Sequence, residues 1–238
     1  HVSNEYGGEC HCELCQQAFR EYLREKFGGN IEKLNLAYWT TFWSHTYDSF
    51  DQIEAPGART ETGIHGLNLD WKRFITRQTI SFIENEIAPI REYCPHLPVT
   101  TNMMYEFVDL DYHKVARVLD FASWDSYPEW HNGDDTVIAQ RAAFWHDVYR
   151  SLKQKPFLLM ESTPSLVNWK PYNKPKAPGL DTLSSLQAVF HGSDSVQYFQ
   201  WRKSRGSSEK LHGAVVGHDG TADTRVFASV QRTGDVLR

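Results

Sequence analysis

Two carboxylates pose the first chemical question. Glu5 follows Asn4 in His1-Val2-Ser3-Asn4-Glu5-Tyr6-Gly7, a stretch that reads as the end of a strand running into a loop. Glu161 ends the apolar run Phe157-Leu158-Leu159-Met160. In parallel α/β barrels the functional side chains sit at the C-terminal ends of strands. Other strand ends read the same way add Asn102, Trp124-Asp125-Ser126-Tyr127, Ser162-Thr163 and Gln200-Trp201, a polar set facing one mouth. Two carboxylates flanking a glycosidic bond are the minimum for its hydrolysis. One gives a proton to the leaving oxygen, and the other attacks the anomeric carbon or activates water. By themselves, two strand-end glutamates are a weak signal, because a solvated or salt-bridged surface more often supplies them.

Cysteines make the second cluster. Of the 4 present, Cys10, Cys12 and Cys15 lie close together and Cys94 stands apart. Thiolates two and three positions apart on a loop can point at one centre, and tetrahedral zinc takes four such ligands, so the spacing suits a metal better than a disulfide framework. His11 is an alternative ligand, and Cys94 reads as an ordinary buried or free thiol. The 8 tryptophans suit sugar stacking as well as a core. Trp39 and Trp43 flank a long loop, with Trp43 the stronger candidate for lining a sugar site. His45, His65, His96, His113, His131 and His146 read as surface or satisfied structural residues.

The elements that must carry these groups follow from periodicity. Leu14, Ala18, Phe19, Tyr22 and Leu23 recur at helical spacing over residues 13–26, with Gly28-Gly29 as the stop. Residues 30–38 form a shorter helix capped by Asn30. Residues 40–68 read as a functional loop. A long helix over 70–93 buries Trp71, Phe74, Ile75, Phe82, Ile83, Ile87 and Ile90 and bends near Pro89. Strands at 98–104, 121–127, 157–160 and 195–201 then alternate with helices at 111–119, 135–152 and 182–190. Short apolar strands separated by helices imply a parallel sheet.

The bulk properties bound the class. A net charge of −5 without a basic stripe argues against nucleic acid, and no apolar run is long enough for a membrane span. The 238 residues approach the roughly 250 of one (β/α)8 barrel. There is no internal repeat, low-complexity segment or domain linker. The abrupt opening leads us to expect a longer protein upstream.

Asn4-Glu5-Tyr6-Gly7 followed by Cys10-His11-Cys12-Glu13-Leu14-Cys15 resembles glycoside hydrolase family 42, the β-galactosidases of clan A. Leu159-Met160-Glu161-Ser162-Thr163 resembles the family's nucleophile segment, and Trp169 the indole that follows it. Residues 121–128 resemble the sixth barrel strand. Glu209-Lys210-Leu211-His212-Gly213 resembles the segment whose Glu and His contact galactose hydroxyls. Gly217-His218-Asp219-Gly220 and Thr224-Arg225-Val226-Phe227 resemble the run into the eighth helix.

The resemblance implies an α/β fold, a (β/α)8 TIM barrel. Residues 1–238 form the second half of this catalytic domain, from the end of strand four to the start of helix eight. The first strands, with an Arg and an Asn of the galactose subsite, and the C-terminal domains would lie outside it. It implies retaining hydrolysis of terminal β-D-galactosides, or of relatives such as α-L-arabinosides, with Glu5 as acid/base and Glu161 as nucleophile. Asn4, Tyr127, Trp169, Glu209 and His212 are the implied substrate-binding residues. A structural zinc on Cys10, Cys12 and Cys15, with a fourth Cys upstream, is implied too, and no organic cofactor. The full-length protein would be a cytoplasmic homotrimer acting on a galactoside or oligosaccharide, without nucleic acid or membrane partners. The rival readings are a non-catalytic carbohydrate-binding barrel and a zinc-stabilised fragment inactive by itself.

Overall fold

The computed structural model describes residues 1–57, 63–105, 107–130 and 132–238. They fall into two compact units: Tyr6–Pro89 with Phe107–Val118, and His1–Glu5 with Ile90–Glu106 and Leu119–Arg238.

The first unit is helical. α1 (Glu13–Lys26) buries Phe19 and Leu23 and stops where Gly28 and Gly29 take φ of 62° and 70°. Only glycine holds that left-handed backbone without steric cost. α2 (Ile31–Tyr38) is capped by the Asn30 side chain, which accepts from the Lys33 N–H. Residues 40–57 and 63–68 of the expected loop contain two 3-10 turns, Phe42–Ser44 and Phe50–Gln52, and the start of the next helix; residues 58–62 lie outside the described residues. α3 (His65–Tyr93) runs through Pro89 and sends Leu67, Trp71, Phe74 and Ile75 into a core with Phe19, Leu23, Leu34 and Ile53. α4 (Tyr112–Val118) adds Val115 and Ala116 to the buried set.

Two expectations fail here. Phe82 is 54 % exposed, because the buried positions Ile83 and Ile87 turn the neighbouring face inward and leave Phe82 on the flank, against the Tyr6 ring. Leu14 is 77 % exposed at the free first turn of α1. The core also holds a carboxylate. Asp70 is fully buried and accepts hydrogen bonds from Lys26, Tyr38 and Arg73. Burial works to raise its pKa, and those three donors outweigh it and hold the carboxyl below its ordinary range.

The second unit carries the sheet. β1 (Asn102–Met103), β2 (Ser123–Asp125), β3 (Phe157–Glu161) and β4 (Ser193–Val196) lie side by side in that order, all parallel. α5 (Asp135–Lys153), capped by Asp134, connects β2 to β3 and α6 (Leu180–Phe190) connects β3 to β4; α7 (Arg225–Val236) is capped by Thr224, whose side chain accepts from Phe227 N. Alternation along β2 sorts its side chains. Trp124 goes to the helix side, stacked on Tyr149 at 4.6 Å and edge-on to His146, while Ser123 and Asp125 take the opposite face. β2 and β3 are in register at Ser123–Leu158, and a shift after Trp124 sets Asp125 opposite Glu161.

Of the histidines, His65, His96 and His113 are exposed and His45 is half-buried; His131 lies outside the described residues. His146 departs from the expectation of surface or satisfied residues. It is buried with no partner for Nδ1, and burial pushes its pKa down to about 4, so the apolar packing keeps the ring neutral. Among the described residues no helix is long and apolar enough to cross a membrane.

Candidate active site

The strand ends of the second unit gather most of the expected polar set around Asn102. Its side-chain amide, 2 % exposed, donates to Asp125 Oδ2 (2.7 Å), Asn4 Oδ1 (2.9 Å) and, more weakly, Glu161 Oε1 (3.3 Å). Its oxygen accepts from the backbone N–H of Glu5 (3.0 Å) and faces the His1 ring at 2.8 Å. Glu5 has a left-handed backbone (φ 46°). Such a conformation costs about 1–3 kcal/mol for a non-glycine residue and persists only where the surroundings over-determine it. The hydrogen bond from its own N–H to Asn102 supplies part of that restraint.

Glu5, Asp125 and Glu161 each present an oxygen within 4.8 Å of the others. Asp125 is 3 % exposed. Burial, then the Glu161 charge and the nearby Glu5, push its pKa up to about 9. Glu161 is also raised, chiefly by burial and further by Glu5, while the hydrogen bond from Tyr127 Oη to Oε2 (2.6 Å) pulls it back. The Tyr127 phenol is correspondingly raised by burial and by Glu161.

The remaining predicted residues line the same end of the unit. Trp169 stands edge-on to Tyr127 (5.0 Å between ring centres) and 5.5 Å from His212, and it is half-exposed. His212 is fully buried. Its Nδ1 lies 3.0 Å from the Gly213 carbonyl, an acceptor only, so this nitrogen carries a proton, and Nε2 is buried with no partner. Gly213 is required by space, since a Cβ there would sit 2.4 Å from Ser165 Oγ and 2.5 Å from the Leu166 carbonyl oxygen. Asn168 Nδ2 donates to Glu209 Oε2 at 2.9 Å and fixes that carboxylate. Sequence reasoning gives no role in the site to Asn102, Asp125 or Asn168. Asn102 and Asp125 were visible as strand-end polar groups, whereas nothing in the sequence singles out Asn168.

In the helical unit, Cys10, Cys12 and Cys15 bring their sulfurs within 4.8 Å of one another. The Cys12 thiol is lowered by the Cys15 backbone and the Cys10 side chain, and Cys15 is pushed up to about 12 by its bond to Cys10 and by burial. Three converging soft donors fit a zinc or similar ion. His11 is not in the group; it contacts Glu9 (3.0 Å) and tilts over the Trp71 ring. Cys94 is a half-buried free thiol. Trp39 and Trp43 belong to this unit and are exposed.

Known proteins resemble the chain over its whole length. The model of a glycoside hydrolase 42 family described as β-galactosidase matches residues 1–238. The β-galactosidase GalA of Bacillus licheniformis is 57 % identical over 245 residues, covering 100 % of this chain and 36 % of its own length. The β-galactosidase BglY of Alicyclobacillus acidocaldarius is 59 % identical over 238 residues, 100 % of this chain and 34 % of its own. A solved structure of a catalytic mutant of Gan42B, a GH42 β-galactosidase from G. stearothermophilus, superposes with a TM-score of 0.95 at 59 % identity, covering 100 % of this chain and 36 % of that one. The chain thus spans about a third of the length of the relatives it matches. Its parallel strands and helices are the portion of their α/β TIM barrel to which it corresponds. With the strand-end carboxylates, the cysteine cluster and the whole-length match in agreement, the chain belongs to glycoside hydrolase family 42.

Proposed function

We propose that the full-length protein is a retaining glycoside hydrolase of terminal β-D-galactosides, and that residues 1–238 are half of its catalytic barrel domain. The observation that carries this reading is the spacing of Glu5 and Glu161, whose oxygens approach within 4.8 Å. Retaining enzymes hold their carboxyls about 5–5.5 Å apart, whereas inverting ones leave about 6.5–9.5 Å for a water. The relatives named as β-galactosidases support the galactoside as substrate.

In the first displacement Glu161 attacks the anomeric carbon as the glycosidic bond breaks, and Glu5 gives its proton to the leaving oxygen. In the second, Glu5 takes a proton from water, the water oxygen bonds to the anomeric carbon, and the ester to Glu161 breaks. Tyr127 favours the ionised nucleophile through its hydrogen bond. Its hydroxyl is committed to Glu161, so its part in binding is that of a wall beside Trp169. Asn4 is aligned by Asn102 to bond the sugar 2-hydroxyl. Glu209 accepts from a further sugar hydroxyl, and His212 Nε2, buried without a partner, would pair with another. Trp169 offers an open indole face to the sugar C–H groups.

Cys10, Cys12 and Cys15 would hold zinc, which would pin the loop before α1 without entering the reaction. The full-length protein is read as a homotrimer, and sedimentation tests that separately. Stereochemistry tests the mechanism: proton NMR of fresh product should show the β-anomer first. Glu161→Gln should lower kcat by several orders of magnitude, and azide should rescue Glu161→Gly while yielding the α-galactosyl azide. Initial release of the α-anomer, or near-normal turnover by Glu161→Gln, would overturn the assignment.

A further inference from the structure

Neither displacement uses Asp125, yet its surroundings constrain its carboxyl sharply. It lies at the end of β2, is 3 % exposed, and sits within 4.8 Å of the oxygens of both Glu5 and Glu161. Asn102 serves Oδ2. Oδ1 is buried and receives no hydrogen bond. Glu5 is within hydrogen-bonding reach of Asp125 but, once ionised, can only accept. An ionised Asp125 would therefore bury an unserved lone pair beside two other carboxylates. A proton between Asp125 and Glu5 removes both faults, because it satisfies the buried oxygen and cancels one of three neighbouring charges.

We propose that Asp125 is kept as a neutral carboxylic acid and is a positioning residue, its O–H donating to the Glu5 carboxylate each time the acid/base gives up its proton. This rests on the reading of Glu5 and Glu161 as the catalytic pair. The ionisable groups around Asp125 are Glu5 from the opening segment, Glu161 from β3 and Tyr127 beyond β2, with His1 reached through Asn102 and His212 and Glu209 acting on Glu161. Burial and the two glutamates together raise its pKa to about 9, in keeping with a proton held at neutral pH. In the first displacement Glu5 loses its proton to the leaving oxygen and the new carboxylate finds the Asp125 O–H already in place. In the second, Glu5 recovers a proton from water. Asp125 keeps its own proton throughout, so no net transfer passes through it.

The test uses Asp125→Asn and Asp125→Ala in the full-length protein. Asparagine still accepts from Asn102 and offers an N–H where the acid offers an O–H, but it cannot ionise. We expect Asn to retain kcat/KM within about tenfold and Ala to lose about a hundredfold or more, on the scale of a lost hydrogen bond to a charged group. Infrared difference spectra at neutral pH should show the C=O stretch of a buried protonated carboxyl in the parent protein, missing from Asp125→Asn. That band is read without any turnover. Its presence in a protein inactive on galactosides would sink the assigned reaction while supporting the protonated Asp125. A parent spectrum lacking the band, or an Asn variant as impaired as Ala, would overturn the proposal.

Discussion

Replacing Tyr127 with Phe removes one oxygen and leaves the ring that walls the site beside Trp169. The lost contact is the 2.6 Å hydrogen bond to Glu161 Oε2. It is the larger of two influences, with His212 the other, that pull the Glu161 pKa down against burial, Glu5 and Glu209. A hydrogen bond to a charged group is worth about 1.5–3 kcal/mol, and each pH unit of displacement corresponds to about 1.4 kcal/mol. As the proposed nucleophile, Glu161 must be ionised to attack, so activity should fall as pH drops through its pKa. Tyr127→Phe should therefore move the acid limb of kcat/KM upward by about one to two pH units. On that limb the loss should be about ten- to a hundredfold, and on the plateau smaller. A nitrophenyl β-galactoside assayed across pH reads both. An acid limb that stays within a few tenths of a unit, in a variant with unchanged circular dichroism, would refute the claim that Tyr127 sets the ionisation of Glu161.

The cysteine cluster predicts about one zinc per chain in the purified full-length protein. Cys12→Ser should abolish it, and chelation should lower Tm; elemental analysis that finds no metal in the parent protein would refute this. Asp70→Asn should weaken stability to urea at pH 7 by about 2–3 kcal/mol, a figure reduced from that of a fully buried pair because Lys26 and Arg73 remain partly in water. The folded pKa of Asp70 lies below its unfolded value, so its stabilisation is present above about pH 4 and lost as pH falls through the folded value. The gap between parent and Asp70→Asn should therefore close in strong acid, and a gap as wide at pH 2 as at pH 7 would contradict the linkage.

Elements bounded by local chemistry were legible in the sequence. α1 ends on two glycines and α2 begins on an asparagine cap, and both were placed from those signals. Elements bounded by tertiary contacts were not. α3 begins five residues before the expected Asp70, at His65-Gly66, because Gly66 packs under Tyr38, where a Cβ would meet the ring at 2.4 Å. β4 begins at Ser193, before the apolar residues that drew the expected strand to 195–201. The serine passes for a loop residue until its hydroxyl is seen accepting from the Leu159 N–H at 2.9 Å in the sheet interior. Buried polar residues such as Ser193 and Asp70 are satisfied by partners distant in sequence, and periodicity is blind to them.

The same distinction runs through the site. Strand ends identify which polar residues can reach one mouth, and family motifs select Glu5 and Glu161 among them. Neither says how the residues share protons and donors, because that depends on register. The shift after Trp124 brings Asp125 level with Glu161, and this turns an unassigned strand-end aspartate into a third carboxyl within 4.8 Å of the pair. The same sheet end brings Asn102 to four site residues at once, with one amide dividing its two hydrogens among Asn4, Asp125 and Glu161 and its oxygen holding Glu5. Three acceptors for two hydrogens leave the 3.3 Å contact to Glu161 the weakest of them, so Glu161 depends on Tyr127 for its strong donor. The polar contacts of the pair thus converge on two residues, Asn102 and Tyr127, that neither displacement consumes.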